Sequence, residues 1–369
     1  MKLPSNAKVV TPGAVVPGTV AVDGDRIVGV GGGDDDTATG WILPGFVDIH
    51  CHGGDGASYT VGDTRQARTV AAFHRRHGTT TTLASLVSSP FHLMMDAVTN
   101  FRPLVDAGEL AGIHFEGPYL SQARCGAQNP EALRDPDLAE LNQLIEAGAG
   151  AVRMMTIAPE RVGAIEAIEW LSVHGVVAAI GHTDASYETT MAAIAAGATV
   201  ATHLFNGMRP FNHREPGPIP ALLDDPRVVC EFIPDPVHLH MGTLAFALHA
   251  SCAPWAVLVT DAMSATGMPP GDYELGGLAV TVADGAARLT GTGAIAGSTI
   301  TMDDAFRNAV TLAGIEVPVA SQMASQTPAE LLGLSDVGRI EPGARADLLV
   351  YTEDLELTGV MRAGEWVER

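Results

Sequence analysis

The chain is short of positive charge: of 369 residues, 21 are Lys or Arg against 43 Asp or Glu, a formal net charge of −22. Such an acidic surface repels a phosphate backbone, which excludes nucleic acid as a partner. Any anionic substrate must then meet local cations or metal ions. Cysteine is scarce as well. Cys51, Cys125, Cys230 and Cys252 are scattered without a Cys-x-x-Cys pair, so a reducing compartment is expected and a disulfide framework is not. No apolar run is long enough to span a bilayer, and prolines at 12 and 17 break up the N-terminal region. Neither a leader nor a membrane partner is expected, and the expected location is cytoplasmic. Gly-x-Ser-x-Gly is absent, which removes the common serine-nucleophile motif. No Gly-x-Gly-x-x-Gly follows the first strand, which argues against a dinucleotide-binding open sheet.

What is present suits a globular fold: 46% of residues are apolar and 17% charged. Residues 9–43 read as short strands and turns, with a hairpin at Asp23-Gly24-Asp25, and 346–367 read the same way. The two termini are expected to build one small β-sandwich, from residues 1–43 and 336–369. Between them, strand-like runs at 46–50, 79–86, 112–116, 152–157, 176–181, 199–204, 228–233 and 256–260 alternate with amphipathic stretches such as 64–77, 161–174, 187–196 and 242–251. Eight strands alternating with helices predict an α/β fold, a (β/α)8 barrel of the TIM type over 44–335. The Gly-rich stretch 276–297 predicts a hairpin excursion that extends the sandwich or lids the site.

Such barrels assemble their sites at the C-terminal ends of the strands. Those ends carry His50 and His52, Glu116, His182, His203 and Asp261. On an extended strand, residues two apart point the same way, so His50 and His52 project together. A lone strand-end histidine is usually structural, but six such groups on one barrel face are a site. Nitrogen and oxygen ligands with an open position suit a catalytic divalent ion. Four histidines and a carboxylate exceed one ion's usual protein ligands, so two ions bridged by hydroxide and Glu116 are expected. Asp261 is then free to take a proton from water and return it to a leaving amine. The chemistry expected is metal-assisted hydrolysis of a C–N bond.

The same residues carry a resemblance. His-x-His after the first strand, His after the fifth and sixth, and Asp after the eighth resemble the amidohydrolase superfamily. Within it, the chain is most similar to the N-acetylglucosamine-6-phosphate deacetylase family. That similarity rests on Pro44-Gly45-Phe46-Val47-Asp48, His114-Phe115-Glu116-Gly117-Pro118-Tyr119-Leu120, Gly181-His182-Thr183 and Thr202-His203-Leu204-Phe205-Asn206-Gly207-Met208. Arg214-Glu215-Pro216-Gly217, Val259-Thr260-Asp261-Ala262 and Gly297-Ser298-Thr299 add to it. The resemblance implies Glu116, His182 and His203 as the main metal ligands, Asp261 as general base and acid, and His50 and His52 as ligands of a second ion that only some members keep. Zinc is the expected metal, with iron, cobalt, manganese or cadmium as alternatives. Asn206 and Gly207 are implied near the sugar phosphate, and His238 at the sugar. Arg214 is implied as a phosphate ligand reaching across a homodimer into the neighbouring site. Ile295, Ala296 and Gly297 are implied along the substrate.

The chain departs from the family at Gly126-Ala127-Gln128-Asn129-Pro130, where a histidine is usual in place of Gln128. Ala127 and Gln128 are expected beside the acetyl group, with the second ion taking over much of the carbonyl polarisation. Cys125 lies in the same loop and reads either as an inert thiol or as a redox- or metal-sensitive one. His74 and His77 sit beside Arg75 and Arg76 on a helix and are expected to be solvated. His114, two residues before Glu116, is expected to support the site by hydrogen bonding. Two rivals remain: a cyclic-amide hydrolase of the dihydroorotase kind, disfavoured because no strand-end lysine could be carboxylated, and a catalytically silent metal scaffold, disfavoured by Asp261.

Overall fold

The structure is a computed structural model that describes residues 2–251 and 253–368; Cys252 lies outside them. Eight parallel strands form the central sheet: Phe46–Asp48, Thr79–Val87, Gly112–Glu116, Val152–Ile157, Val177–Ile180, Val200–Ala201, Val229–Phe232 and Ala256–Leu258. Each of the eight expected runs holds one of these strands, shortest in 199–204, where only Val200–Ala201 pair. The eighth closes on the first through the Asp261 N–H donating to His50 O (2.8 Å) and the His52 N–H donating to Ala262 O (2.8 Å). These bonds lie at the top of the barrel, among the site residues themselves.

The two-residue period of the strands sorts side chains between two cores. Val47, Ile49, Leu83, Met154, Ala179, Val200, Val229 and Val257 fill the interior, where Ala329, Leu332 and Val337 pack with them. Ala84, Leu86, Ile113, Phe115, Met155, Ile157, Ala178 and Ile180 belong to the outer layer under the helices. In the third strand Ile113 and Phe115 point out, so His114 and Glu116 point in. Helix Thr64–Arg76 starts where Asp63 accepts the backbone N–H groups of Arg65 and Gln66. Helix Met302–Thr311 starts from a reciprocal Thr301–Asp304 capping box.

Both termini contribute to one seven-stranded sheet. Ala7–Thr11, Ala14–Asp23 and Arg26–Gly32 come from the front, Leu348–Tyr351, Leu357–Arg362 and Glu365–Trp366 from the rear, and Trp41–Pro44 lies between. The sheet curls on itself: Arg26 bridges Arg345, and the Ile27 N–H donates to Ala344 O (2.9 Å). The curl encloses Val9, Val20, Ile27, Ile42, Ala346 and Leu348. The Gly-rich excursion is a separate sheet of three strands, Gly271–Leu275, Leu278–Ala283 and Ala286–Leu289, which begins earlier than expected. It packs through Leu275, Val280 and Ala287 on Val87 and Met263 at the barrel top, so it lids the site and does not join the terminal sheet. No helix among the described residues is long and apolar enough to cross a membrane.

His74 is a correction. It is buried, not solvated, because it shares the inward face of its helix with Ala67, Val70 and Ala71. Its Nε2–H donates to Gly53 O (2.9 Å) and lies 3.4 Å from Cys51 Sγ, bracing the loop after His52. Burial pulls its pKa down to about 4, so the folded chain holds the neutral ring. The unfolded chain takes up the proton near pH 6.5. Stability from this group is therefore present above pH 6.5 and lost as pH falls towards 4. The loss is about 3 kcal/mol at most. We expect His74→Gln to remove that component, so that urea midpoints of variant and wild type, apart at pH 7, converge or cross by pH 4. Parallel pH profiles would refute the assignment.

Candidate metal centre and active site

The first strand is held at its end by a buried carboxylate. Asp48 accepts hydrogen bonds from the Thr260 hydroxyl (2.6 Å) and the His50 N–H (3.2 Å). Burial nevertheless pushes its pKa up to about 6. Beyond it, His50 and His52 turn into the barrel mouth, and their Nδ1 atoms are committed. His50 Nδ1 donates to Glu231 Oε2 (2.9 Å) and His52 Nδ1 to Ser85 O (3.0 Å). His182 Nδ1 likewise donates to Arg124 O (2.9 Å). A fixed Nδ1–H leaves Nε2 as the bare nitrogen facing inward, the tautomer that a metal requires. His203 Nδ1 has no partner.

Three of the strand-end residues adopt left-handed backbone, with φ of 45° at His182, 29° at His203 and 48° at Asp261. Non-glycine residues avoid this region, and it recurs where a site over-determines the chain. The turn redirects each side chain from the strand axis to the barrel axis. Gly207 adds a constraint. At φ +60° a Cβ there would stand 2.8 Å from His182 Nδ1, so only glycine lets this loop pass behind the ring.

The structure gathers the expected residues into two adjoining triplets, His50–His52–Asp261 and Glu116–His182–His203, all buried. In the first, the two Nε2 atoms are 3.1 Å apart and lie 3.5 and 3.2 Å from Asp261 Oδ1. In the second, the two Nε2 atoms are 3.1 Å apart and lie 3.0 and 2.9 Å from Glu116 Oε1. Glu116 spans the triplets, its Oε2 being 3.3 Å from His52 Nε2. Tetrahedral zinc with nitrogen ligands at 2.0–2.1 Å places neighbouring ligand atoms about 3.3 Å apart. Bare nitrogens held at this spacing repel unless a cation or a proton lies between them, so the donor set fits divalent ions. Electrostatics agree. Burial lowers the His50 and His52 pKa values, but Glu231, Asp261 and Glu116 outweigh it and raise them to about 10 and about 9. Burial raises Glu116 and Asp261, but the histidines hold both below the usual carboxylate range. The site demands positive charge.

A cavity of about 230 Å³ opens above the triplets. Its walls include Ala127, Gln128, Asn206, Gly207, His238, Ile295 and Gly297, all expected there. Gln128 is locked in one orientation: the Ser88 N–H donates to its Oε1 (2.7 Å), so its NH2 faces Glu116 Oε2 and the cavity. His238 Nδ1 donates to Asp235 Oδ2 (2.9 Å), which leaves its Nε2 as an acceptor. Two expected residues are not brought in. Ala296 is buried in the lid's own core, and Arg214 is exposed on an outer loop, 2.8 Å from His213 Nε2. Among the described residues no lysine or arginine lines the cavity.

Sequence reading missed Glu231 and Asp48. Glu231 sits within the seventh strand, fully buried, between His50 and the His203 N–H. Its signal was a lone acid inside the apolar run Val228-Val229-Cys230-Glu231-Phe232-Ile233. His114 supports the site as expected. It pairs with Ser85 Oγ (3.0 Å) and Thr156 Oγ1 (2.9 Å), and its ring packs edge-on against His50.

A model of the amidohydrolase family matches residues 41–367. N-acetylglucosamine-6-phosphate deacetylase from Lysinibacillus sphaericus is 34% identical over 328 residues, 88% of this chain and 84% of that protein. N-acetylgalactosamine-6-phosphate deacetylase from Escherichia coli is 36% identical over 331 residues, 88% of this chain and 87% of that protein. Among solved structures, a mutant N-acetyl-D-glucosamine-6-phosphate deacetylase from Mycobacterium smegmatis, in complex with N-acetyl-D-glucosamine-6-phosphate, superposes with a TM-score of 0.95. It has 45% identity and covers 99% of this chain and 98% of that one. By sequence and by fold, the chain belongs to the amidohydrolase family, in its branch of N-acetylated amino-sugar-6-phosphate deacetylases.

Proposed function

We propose that the chain hydrolyses N-acetylglucosamine 6-phosphate to glucosamine 6-phosphate and acetate, a step in amino-sugar catabolism. The observation that carries this reading is the pair of buried triplets, with Asp261 among them, under a cavity walled by the residues expected to hold the sugar. The barrel, 44–335, is the catalytic domain, and 1–43 with 336–369 form the supporting β domain. Two divalent ions, zinc before iron, cobalt, manganese or cadmium, fit the donors, one in each triplet with Glu116 shared.

A divalent ion bound here supplies Lewis acidity for the acetyl carbonyl and acidifies water. Asp261 takes the proton from the water that adds to the carbonyl carbon. It then delivers that proton to the sugar nitrogen as the C–N bond breaks, so acetate leaves and the amine stays on the sugar. The Gln128 NH2, fixed by Ser88, donates towards the acetyl group. His238 Nε2 accepts a sugar hydroxyl.

Among the described residues, the phosphate finds no lysine or arginine in the cavity of its own subunit. We assign that role to Arg214 of a second copy in a homodimer, since a guanidinium fork matches phosphate. Phe211 and Phe246, 60% and 63% exposed, border one apolar cleft near the Arg214 loop that a second copy would cover. N-acetylgalactosamine 6-phosphate is the second reading, because relatives carrying that activity are equally similar in sequence. A cyclic-amide hydrolase with a carboxylated lysine does not fit: the only lysines, Lys2 and Lys8, lie outside the barrel.

Acetate release should be rapid with N-acetylglucosamine 6-phosphate, slow with the unphosphorylated sugar, and abolished by chelator until divalent metal is restored. Faster turnover of the galactosamine epimer would transfer the assignment to that sugar. Arg214→Ala should raise KM for the phosphorylated sugar about 10- to 100-fold, as loss of a charge-assisted hydrogen bond does. The unphosphorylated sugar should be unaffected, and an equal loss on both would refute the phosphate role. In the same assay Asp261→Asn should lower kcat about 10²- to 10⁴-fold. Gln128→Ala should lower it less than about tenfold if metal does most of the polarising; complete loss would count against that division of labour.

A further inference from the structure

Glu231 is a buried acid that the proposed reaction does not use. It faces the barrel interior one layer above Val229 and has no exposed surface. Its Oε2 accepts two hydrogen bonds, from His50 Nδ1 (2.9 Å) and from the His203 N–H (3.1 Å). Its Oε1 has no partner. Glu231 touches one residue of each triplet, His50 of the first and His203 of the second.

We propose that Glu231 is a positioning residue that secures the ion at His50 and His52 by accepting the His50 Nδ1–H, which fixes the ring with its Nε2 turned to the metal. This inference rests on the two-ion reading above. Of the ligating rings, His52 and His182 are fixed through Nδ1 by backbone carbonyls, Ser85 O and Arg124 O, whereas the acceptor for His50 Nδ1 is the Glu231 side chain. Without Glu231 the His50 Nδ1–H is left buried and unpaired, and the ring is free to turn or to change tautomer. The contact runs to the His50 ring directly and reaches the second triplet only through a backbone N–H. The first triplet is therefore the one that depends on it. A carboxylate on the far nitrogen also raises the basicity of the ligating one.

The test is Glu231→Gln, which keeps the volume but replaces the carboxyl acceptor of the His50 Nδ1–H by a weaker amide oxygen and leaves its NH2 group without an acceptor. Wild type, His50→Asn/His52→Asn and Glu231→Gln are stripped by chelator, titrated with Zn²⁺, and counted for metal per chain by mass spectrometry. We expect two ions in wild type and one in the histidine variant. Glu231→Gln should keep the first ion and bind the second about 10- to 100-fold more weakly. Far-UV circular dichroism of metal-free Glu231→Gln should match that of metal-free wild type, which separates an effect on the site from damage to the fold. Two ions at wild-type affinity in Glu231→Gln, or equal weakening of both, would overturn the proposal. One ion in wild type would refute the two-ion reading, and this inference with it. If Glu231→Gln does not fold, Glu231→Asp decides by the same count. Weakening of the second ion alone supports the proposal; unchanged binding of both overturns it.

Discussion

Everything at the mouth of the barrel follows from burying carboxylates beside imidazoles in an apolar cylinder. An unpaired charge there would be strongly unfavourable, so each acid is surrounded by donors. Glu116 is contacted by four histidines and Gln128, Asp261 by His50 and His52, and Asp48 by Thr260 and the His50 N–H. The left-handed backbone at His182, His203 and Asp261 is tolerated because flanking bonds fix it. Asp261 is held on both sides, its N–H donating to His50 O and its own carbonyl accepting from the Ser298 N–H (2.7 Å). The bonds that close the barrel are thus the bonds that aim Asp261, the proposed general base, and fold and site cannot be separated at this seam.

How much was legible depended on whether a residue's role lay in local pattern or in packing. The strand ends were legible because β-prone apolar runs stop where loop-forming residues begin, and barrel geometry brings those ends together. Glu231 was hidden by the same method: a run is read by its apolar majority, and its one acid has meaning only once Val229 and Glu231 are seen to share the interior face. His74 was misread through its neighbours in sequence, Arg75 and Arg76. Its neighbours on the helix are Ala67, Val70 and Ala71, at spacings of seven, four and three, which mark an inward face. The lid began earlier than expected because Gly271–Leu275 carries only Tyr273 and Leu275 as apolar residues, and its partner strand supplies the rest of the pattern.

Gln128 can donate a hydrogen bond but carries no charge, and its neighbours set its direction. An amide can face either way, and in isolation Gln128 could present oxygen or nitrogen to the substrate. The Ser88 N–H settles the choice by occupying the oxygen, so the NH2 group points at Glu116 and the cavity. A neutral donor adds nothing to the positive charge that the triplets require. That leaves the charge to the ions, which is consistent with the chain retaining His50 and His52.

The net charge of −22 bears on the phosphate in the same way. A dianionic group approaching this surface is repelled at long range, though salt limits that repulsion to about 8–10 Å under ordinary conditions. Inside that range the cavity offers hydrogen-bond donors but, among the described residues, no lysine or arginine, and its nearest carboxylates, Glu116 and Asp261, are themselves anionic. A single subunit can therefore hold the acetamide end of a sugar phosphate far better than the phosphate end. Arg214 stands exposed on a loop beside an uncovered apolar face. In the proposed dimer, the contact that covers that face would also bring the guanidinium. On that proposal assembly and substrate charge become one requirement: a single subunit would be chemically complete for amide hydrolysis and electrostatically incomplete for a phosphorylated sugar.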